Sequence, residues 1–369
     1  MSELSQTEAF ARIRLLRSPN IGPVSYAQLL RRFGDAETAL VALPDLAARG
    51  GGRYQPLAEA RIVDEAAAVK RAGARYLFHD SIDYPPLLGQ FEGAPPILIA
   101  RGEPAIAARP AVAIVGARNA SAAAVKLARD FAGQLAEAGL AVVSGLARGI
   151  DGAAHKGALA AGADGGGTIG VIASGIDISY PPEHADLQEE VAQRGLLLTE
   201  HPPGTEPFAR HFPSRNRIIA GIAAGTLVVE AAPKSGSLIT ARLAGDAGRE
   251  VMAIPGSPLD SRSHGGNQLI RDGAMLVQSA EDVIELLSSF VGAPRSNFRE
   301  AAPEWLAAED ELADEPADVS ALLTRAPIAI DELIRQSGES AAAVQLALLE
   351  LELANRLVRH AAGRVSLNA

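Results

Sequence analysis

The chain has 369 residues, of which 48% are hydrophobic, a formal net charge of −10 and no cysteine. This length and apolar content exclude a disordered chain and indicate two or three domains. The acidic balance excludes a protein coated in positive charge, so any nucleic-acid contact must come from a local basic patch. The absence of cysteine excludes disulfides, thiolate metal sites and cysteine nucleophiles. Because the N-terminus lacks a signal-peptide pattern and no apolar run could span a bilayer, we expect a cytoplasmic protein without a membrane partner.

Residues 1–72 are predicted to form a small helical domain, because apolar residues return every three or four positions. The segment NIGPVSYAQLLRRFG resembles a helix-hairpin-helix, in which Gly22 permits a tight turn whose amides can meet a phosphate. A hairpin that only packs is the preferred interpretation, since Pro23 removes one amide donor.

Short β-rich segments alternate with alanine-rich helical segments over residues 73–289, which is typical of a doubly wound α/β domain. Nine strands are predicted, with the sequences RYLFH, PILIAR, AVAIVG, LAVVSG, TIGVIA, LLLTE, TLVVE, EVMAIP and AMLVQ. In such sheets the ligand binds beyond the carboxyl ends of the strands. Functional residues should therefore be sought where the strands end.

Two of these strands, AVAIVG and LAVVSG, run into loops that combine glycine with arginine ahead of a helix, where an anion can bind. The candidate phosphate-binding residues there are Gly116, Arg118, Ser144, Gly145, Arg148 and Gly149. Asp151 and His155 follow one helical turn apart. Two ligands make no metal site, so we interpret them as a helix-capping aspartate with a packed or phosphate-facing histidine.

Residues 204–244 combine basic, aromatic and glycine-rich signals, as a groove for a charged, base-bearing polymer would need. Residues 218–224 are predicted to form a buried helix and residues 226–230 a buried strand. The next helix, LITARLAG, should offer its first-turn amides to an anion. Alternatively, the arginines make surface salt bridges and the serines cap the helix. The candidate residues are Phe208, Phe212, Arg215, Asn216, Arg217, Lys234, Ser235, Gly236 and Ser237.

Motifs for common cofactors and hydrolytic sites are missing. The sequence GARNAS after the strand AVAIVG is not GxGxxG, and no suitably placed acidic residue ends the next strand, so NAD is disfavoured. No Walker sequence, HExxH helix or GxSxG elbow occurs. We therefore predict neither a cofactor nor a metal.

The C-terminal part begins with an acidic linker rich in Pro and Ala at residues 290–318, which we expect to be extended. Residues 319–369 are predicted to form three helices and a closing hairpin, a winged-helix pattern. The helix AAAVQLALLELELA takes the place of a recognition helix but lacks Lys and Arg. A protein contact or a structural role is therefore favoured, although Arg356, Arg359 and Arg364 near the wing leave weak DNA binding open.

Seven segments together resemble the DprA (Smf) family of DNA-processing proteins over essentially the whole chain. They are VGAR at 115–118, SGLARGID at 144–151, FPSRNRIIAG at 212–221, VVEA at 228–231, SGSLITA at 235–241, GREVMAIPG at 248–256 and GGNQLIRDGA at 265–274. The resemblance implies an extended Rossmann domain that binds and protects single-stranded DNA and loads the RecA recombinase during natural transformation. It also implies a homodimer through the Rossmann domain, a sterile-alpha-motif-like domain before it and a winged helix after it.

Two departures from the family pattern affect the site. Ala117 stands where the family usually has a serine, and Pro182, Glu183 and His184 follow Tyr180-Pro181 where many members carry Lys and then Asn. The second change removes a positive charge from the expected groove. The competing function is that of a phosphoribohydrolase of related fold, because GTLVVE is similar to part of the motif of those enzymes. The paired glycines of that motif are missing from this sequence. A non-enzymatic binding protein is therefore the preferred interpretation.

Overall fold

A computed structural model describes residues 4–91, 93–288, 313, 315–360 and 363–368. The chain divides into two compact units. The first contains residues 1–64 with 296–369, and the second contains residues 65–295. Most of the predicted acidic linker, residues 290–312 and 314, lies outside the described residues.

The N-terminal part of the first unit is helical, as the apolar spacing predicts. Its helices are α1 (Gln6–Arg17), α2 (Pro23–Phe33), α3 (Ala36–Arg49) and α4 (Glu59–Arg71), the last of which crosses into the second unit. Ser5 caps α1 by accepting from the amide of Glu8 at 3.1 Å, and Asp35 caps α3 by accepting from Thr38 at 2.7 Å. Fully buried leucines such as Leu15, Leu29 and Leu43 form the core of this bundle.

The C-terminal part of the first unit is a small winged helix. Its elements are β10 (Ile328–Ala329), α13 (Ile330–Ser337), α14 (Ala341–Leu353), β11 (Leu357–His360) and β12 (Arg364–Leu367). The sheet order is β10-β12-β11, all antiparallel. The first of the three predicted helices is wrong, because residues 320–322 form a turn and residues 319, 323 and 324 have no regular structure. That run is too short to nucleate a helix before Pro327.

The second unit is built on a nine-stranded sheet, and all nine predicted strands are present. They are β1 (Arg75–Phe78), β2 (Ile97–Gly102), β3 (Ala111–Val115), β4 (Ala141–Ser144), β5 (Thr168–Val171), β6 (Leu196–Thr199), β7 (Gly225–Val228), β8 (Glu250–Ala253) and β9 (Met275–Leu276). Their order is β1-β2-β6-β5-β4-β3-β7-β8-β9. The pairs β1-β2 and β2-β6 are antiparallel and the others are parallel, so this is the expected doubly wound sheet extended at one edge.

Helices enclose the sheet, and separate apolar clusters pack around the strands. The helices are α5 (Pro86–Gly89), α6 (Ala122–Glu137), α7 (Ile150–Ala160), α8 (Ala185–Arg194), α9 (His211–Ile222), α10 (Ser237–Asp246), α11 (His264–Arg271) and α12 (Ala280–Ser288). Residues Pro104–Ala108 and Pro182–His184 form short 3-10 turns. Strands β3 and β4 are buried along their whole length, which explains their uninterrupted apolar sequences.

Helix α9 begins at His211, seven residues before the buried helix predicted at residues 218–224. Phe212, Arg215 and Arg217 therefore lie in its first two turns, whereas Phe208 and Arg210 lie just before it. Pro213 is compatible with this because first-turn amides have no partner inside a helix. Among the described residues, every helix is too short or too polar to cross a bilayer.

Candidate nucleic-acid interface

The candidate site lies where neighbouring parallel strands end. Strands β3, β4 and β5 are adjacent, and the loops after them meet the first turns of α9. Together they enclose a pocket of about 300 Å³. It is lined by Arg118, Asn119, Gly145, Ala147, Arg148, Ile172, Ala173, Ser174, Tyr180, Pro181, Pro207, Phe212 and Arg215. Five of the predicted site residues, Arg118, Gly145, Arg148, Phe212 and Arg215, are thus brought to one pocket.

Arg215 is the most buried cation of this pocket, with only 4% of its surface exposed. Its charge is partly balanced by Asp151 at the start of α7, whose carboxylate also accepts from the amide of Gly145 at 3.2 Å. Burial lowers the pKa of Arg215 to about 10, and Asp151 opposes that shift. The guanidinium therefore keeps its charge at neutral pH.

Gly145 leaves the space in which the Arg215 guanidinium lies. A Cβ atom built on Gly145 would lie 1.4 Å from Nη1 of Arg215, so any larger residue would displace the guanidinium. Within the described part of the chain, Nε and Nη1 of Arg215 are buried and have no hydrogen-bond partner. Unpaired buried donors are costly, and an anionic ligand that accepts from this group would remove that cost.

Arg118 and the aromatic residues form the more exposed part of the pocket. The Arg118 guanidinium carbon lies 4.9 Å from the centroid of the Phe212 ring, and the rings of Phe212 and Tyr180 lie 5.6 Å apart at 55°. The positive charge of Arg118 also lowers the pKa of Arg215, and both arginines line the pocket. Two cations beside two ring faces suit a ligand that carries both phosphate and a flat base.

Arg148 lines the same pocket but is paired with Glu183, the acidic residue that departs from the family pattern. The hydrogen bond and the charge of Arg148 hold the pKa of Glu183 below its usual range, with the hydrogen bond as the larger cause. Both side chains are exposed. The third cation of the pocket is therefore neutralised within the chain.

Comparisons with known proteins agree with the seven motifs. The family described as DNA recombination-mediator protein A matches residues 75–288, and a DprA-like N-terminal HHH domain and a DprA winged helix domain match residues 6–68 and 301–363. A putative DNA processing protein DprA of Mycobacterium tuberculosis is 37% identical over 94% of this chain and 90% of its own length. The chain belongs to the DprA/Smf family.

Two solved DprA structures resemble the fold. The DNA processing protein A of Streptococcus pneumoniae has a TM-score of 0.63 and 35% identity, covering 77% of this chain and 98% of its own. The DNA processing protein A of Helicobacter pylori has a TM-score of 0.52 and 28% identity, covering 59% of this chain and 98% of its own. The expected fold class, an extended Rossmann-like domain between a helical domain and a winged helix, is thereby confirmed.

Three of the residues predicted at strand ends support the loops and do not line the pocket. A Cβ atom at Gly116 would lie 2.5 Å from the Ile150 side chain, and one at Gly149, where φ is 73°, would lie 2.3 Å from the carbonyl oxygen of Ala117. Both glycines thus let the two loops touch. Ser144 is fully buried and donates its hydroxyl to the carbonyl of Ile114 at 2.7 Å, which corrects its prediction as a direct phosphate contact.

The residues after β7 form a neighbouring surface. Asn216 on α9 donates to the carbonyl oxygen of Gly236 at 3.3 Å, which ties α9 to the start of α10. The hydroxyls of Ser235 and Ser237 lie 2.7 Å apart, and Ser235 also accepts weakly from the amide of Ser237 at 3.4 Å. The N-cap of α10 is Gly236, without a capping side chain, so the serine hydroxyls contact each other and Lys234 is exposed beside them.

Arg217 is not part of the pocket, although it lies only two residues after Arg215. It forms a hydrogen-bonded ion pair with Glu200 at the end of β6, and both side chains are more than four-fifths buried. The charge of Arg217 is therefore balanced within the chain by Glu200, in a buried ion pair rather than the surface salt bridge of the alternative interpretation. A shift of two positions on a helix turns a side chain by about 200°.

His155 is packed as predicted, whereas Asp151 does not cap α7, whose N-cap is Gly149, and accepts instead from the amide of Gly145 in the preceding loop. His155 is fully buried, and its Nδ1 lies 2.8 Å from the Thr168 hydroxyl, which itself donates to the carbonyl of Val142. Nδ1 must therefore carry the proton, and the histidine is packed rather than facing a phosphate. No cluster of His, Asp and Glu suitable for a metal ion occurs among the described residues.

Tyr180 and Asn119 line the pocket but were not among the predicted site residues. The segment after the strand TIGVIA, which runs through Ile176 and Asp177 to Tyr180-Pro181, is a third place at which the strand-end rule predicts functional residues. Phe208, predicted as a stacking face, is half exposed and lies under Arg210 at 5.1 Å, outside the pocket lining.

Proposed function

We propose that this DprA/Smf protein binds single-stranded DNA, holding phosphate with Arg118 and Arg215 and stacking bases on Phe212 and Tyr180. The observation that carries the proposal is the buried, charged guanidinium of Arg215 with unpaired donors in a pocket walled by aromatic rings. Charge alone would suit any anion, and rings alone would suit any apolar ligand. The combination suits a nucleotide.

The size of the pocket favours a single strand over a duplex. About 300 Å³ is at the lower end of small-ligand pockets, a size that suits one nucleotide. In a duplex the base faces are already covered by their neighbours and cannot stack on Phe212. The Helicobacter pylori relative is described as binding single-stranded DNA, which supports the same ligand class for this chain.

The wider contact set is also a proposal. Arg148, Gly145, Gly116 and Gly149 would complete or shape the pocket, and the strand would continue past Asn216 to the surface at the start of α10. The residues of that surface are Lys234, Ser235, Gly236 and Ser237. Asn216 supports this path because it joins α9, which carries Arg215, to the carbonyl of Gly236.

The cellular role follows the family. We propose that the protein protects incoming single-stranded DNA and loads RecA during natural transformation, acting without catalysis or cofactor in the cytoplasm. A homodimer through the Rossmann domain and the division into residues 1–72, 73–289, 290–318 and 319–369 belong to the same proposal. Its support is the match to a family of recombination mediators over both units.

The phosphoribohydrolase alternative has no support from the site. Glu230, which ends GTLVVE, is 6% exposed and accepts from the backbone amide of Ser121 at 2.8 Å, so it holds the start of α6. Thr226 of the same motif is fully buried. Incubation with AMP should therefore release no adenine. Adenine release above the uncatalysed level would support the enzyme interpretation instead.

Titration with labelled oligonucleotides tests the proposed function. We expect oligo-dT to bind at least about tenfold more tightly than a duplex of equal length, because base stacking contributes roughly 1–3 kcal/mol per base. Mixed-sequence single strands should bind about as tightly as oligo-dT. Affinity should fall as salt rises, since phosphate contacts release counterions. Equal affinity for duplex and single strand would contradict the proposal.

Glu183→Gln is expected to raise the affinity for oligo-dT a few-fold, because it frees Arg148 to meet a phosphate. The slope of log affinity against log salt should steepen by roughly 0.7, the contribution of one additional phosphate contact on a single strand. The matched control is Glu190→Gln, which breaks an equally exposed pair with Arg194 on α8, away from the pocket. If both variants change the salt slope by the same amount, the freed Arg148 does not contact a phosphate of the bound strand.

A further inference from the structure

Helix α14 of the winged helix is apolar on two sides and is buried on both. Val344 and Leu348 pack in the core of the winged helix itself. Leu346, Leu349 and Leu353 pack instead among the leucines of the N-terminal helices, in the core that contains Leu29 and Leu43. A helix with apolar residues on both sides requires a partner on each side. In a winged helix that reads DNA, the second side of this helix would be polar and free.

The N-terminal helices are shaped to receive the end of α14. After α3, a Cβ atom at Gly50 would lie 2.2 Å from the backbone oxygen of Glu350, and one at Gly52 would lie 2.7 Å from Cα of Ala354. Neither glycine has a positive φ, so the backbone at these positions does not itself require glycine. The close approach of α14 is the constraint that requires it.

Polar contacts fix the register of this contact. Gln28 on α2 donates to Gln345 at 2.8 Å, and Ser25 donates to Glu352 at 2.6 Å. Arg356, just after α14, donates to the carbonyl of Gly50 at 3.1 Å. These bonds connect both ends of α14 to residues more than 300 positions away, so the contact is specific in orientation as well as apolar.

We propose that α14 is a docking helix whose partner is the N-terminal helical domain of the same chain, and that it does not read DNA. The side that would face a major groove is covered by α2 and α3. The helix has no Lys or Arg, and its charged residues are Glu350 and Glu352. Duplex DNA would have to displace a fitted apolar interface and would then meet carboxylates.

Thiol labelling tests the docking, because the natural chain has no cysteine. Leu349→Cys places a thiol in the docked interface, and the adjacent Leu348→Cys places one in the core of the winged helix. Each is combined with Gly52→Ser, which inserts atoms into the interface, or with Gly22→Ser. Gly22 is the matched control, because a Cβ atom there meets nothing within 4 Å and serine is a favoured N-cap residue.

We expect Gly52→Ser to raise the labelling rate of Leu349→Cys about tenfold or more, the effect of overpacking a close interface. The same substitution should change the labelling rate of Leu348→Cys by less than about twofold. Gly22→Ser should leave the labelling rates of both cysteine variants unchanged. An equal rise in the labelling rates of Leu349→Cys and Leu348→Cys would mean that the winged helix itself opens. That result would overturn the proposal that α14 docks on the N-terminal helices through a separate interface. Rapid labelling of Leu349→Cys without any second change would overturn it as well.

Two further conditions separate the partners that could cover α14. Dilution should leave the protection of Leu349→Cys unchanged, and its loss on dilution would assign the interface to a second copy of the chain. Excess duplex DNA should also leave the rate unchanged, whereas a change of more than about twofold would make α14 a DNA contact. Oligo-dT affinity should be the same for Gly52→Ser and the unmodified chain. The test of α14 docking is therefore independent of the proposed single-strand pocket.

Discussion

Arg215→Met is expected to lower the free energy of unfolding by about 0.5–3 kcal/mol, the usual range for a single substitution, because it removes the cation whose charge favours the buried Asp151 carboxylate. The variant leaves the fully buried carboxylate of Asp151 without the cation that stabilises it. Burial already raises the pKa of Asp151, and Arg215 is the largest influence that opposes this rise. Urea unfolding at pH 7 measures the loss. An unchanged midpoint would mean that Arg215 and Asp151 do not depend on each other.

The control for this loss is the double variant Arg215→Met with Asp151→Asn. Replacing two buried charges of opposite sign that influence each other by neutral residues of similar size should cost less than removing one of them alone. Asparagine keeps an oxygen that can accept from the amide of Gly145, which lies 3.2 Å from the carboxylate of Asp151. We therefore expect most of the lost stability to return. This variant separates the structural role of Arg215 from its role in binding.

Stability is expected to fall by about 2 kcal/mol between pH 7 and pH 5 because of His155. Burial, followed by the charges of Arg215 and His184, lowers the pKa of His155 from 6.5 to about 3 in the folded protein. In the unfolded chain it titrates near 6.5. Below that pH the unfolded state binds the extra proton and the folded state does not, so stability decreases as the pH falls.

His155→Gln is the control, because glutamine can still donate to the Thr168 hydroxyl but does not titrate. The variant should lose less stability than the natural chain between pH 7 and pH 5. Asp151 acts in the opposite direction, since its raised pKa lets the folded state take up a proton as the pH falls. Asp151 is present in both proteins, so the difference between the two pH profiles isolates the histidine. Parallel profiles would contradict the assignment.

The fold could be predicted from the sequence because its strands are short apolar runs bounded by glycine, serine or proline, as in AVAIVG and LAVVSG. The rule that ligands bind beyond strand ends then placed Arg118, Gly145 and Arg148 near one another. The structure brings all three to one pocket. The local sequence was sufficient here because the loops follow neighbouring parallel strands. The carboxyl ends of such strands lie at the same edge of the sheet, so the loops after them meet.

The remaining features depend on contacts between distant residues. Nothing near Arg217 indicates that Glu200 would pair with it while the guanidinium of Arg215 lies beside Gly145 in the pocket. The length of α9 was underestimated because its polar first turns resemble a loop. Both sides of α14 are apolar in the sequence, but only the structure shows that the second side is covered by the N-terminal helices.

The affinity of the double variant Arg215→Met with Asp151→Asn for oligo-dT, measured on a sample whose melting temperature is known, is the most direct test of the pocket. We expect a loss of about tenfold to a hundredfold, the size of one or two charge-assisted hydrogen bonds, in a protein that melts near the natural temperature. A folded double variant that binds oligo-dT as tightly as the natural chain would show that single-stranded DNA does not bind at Arg215.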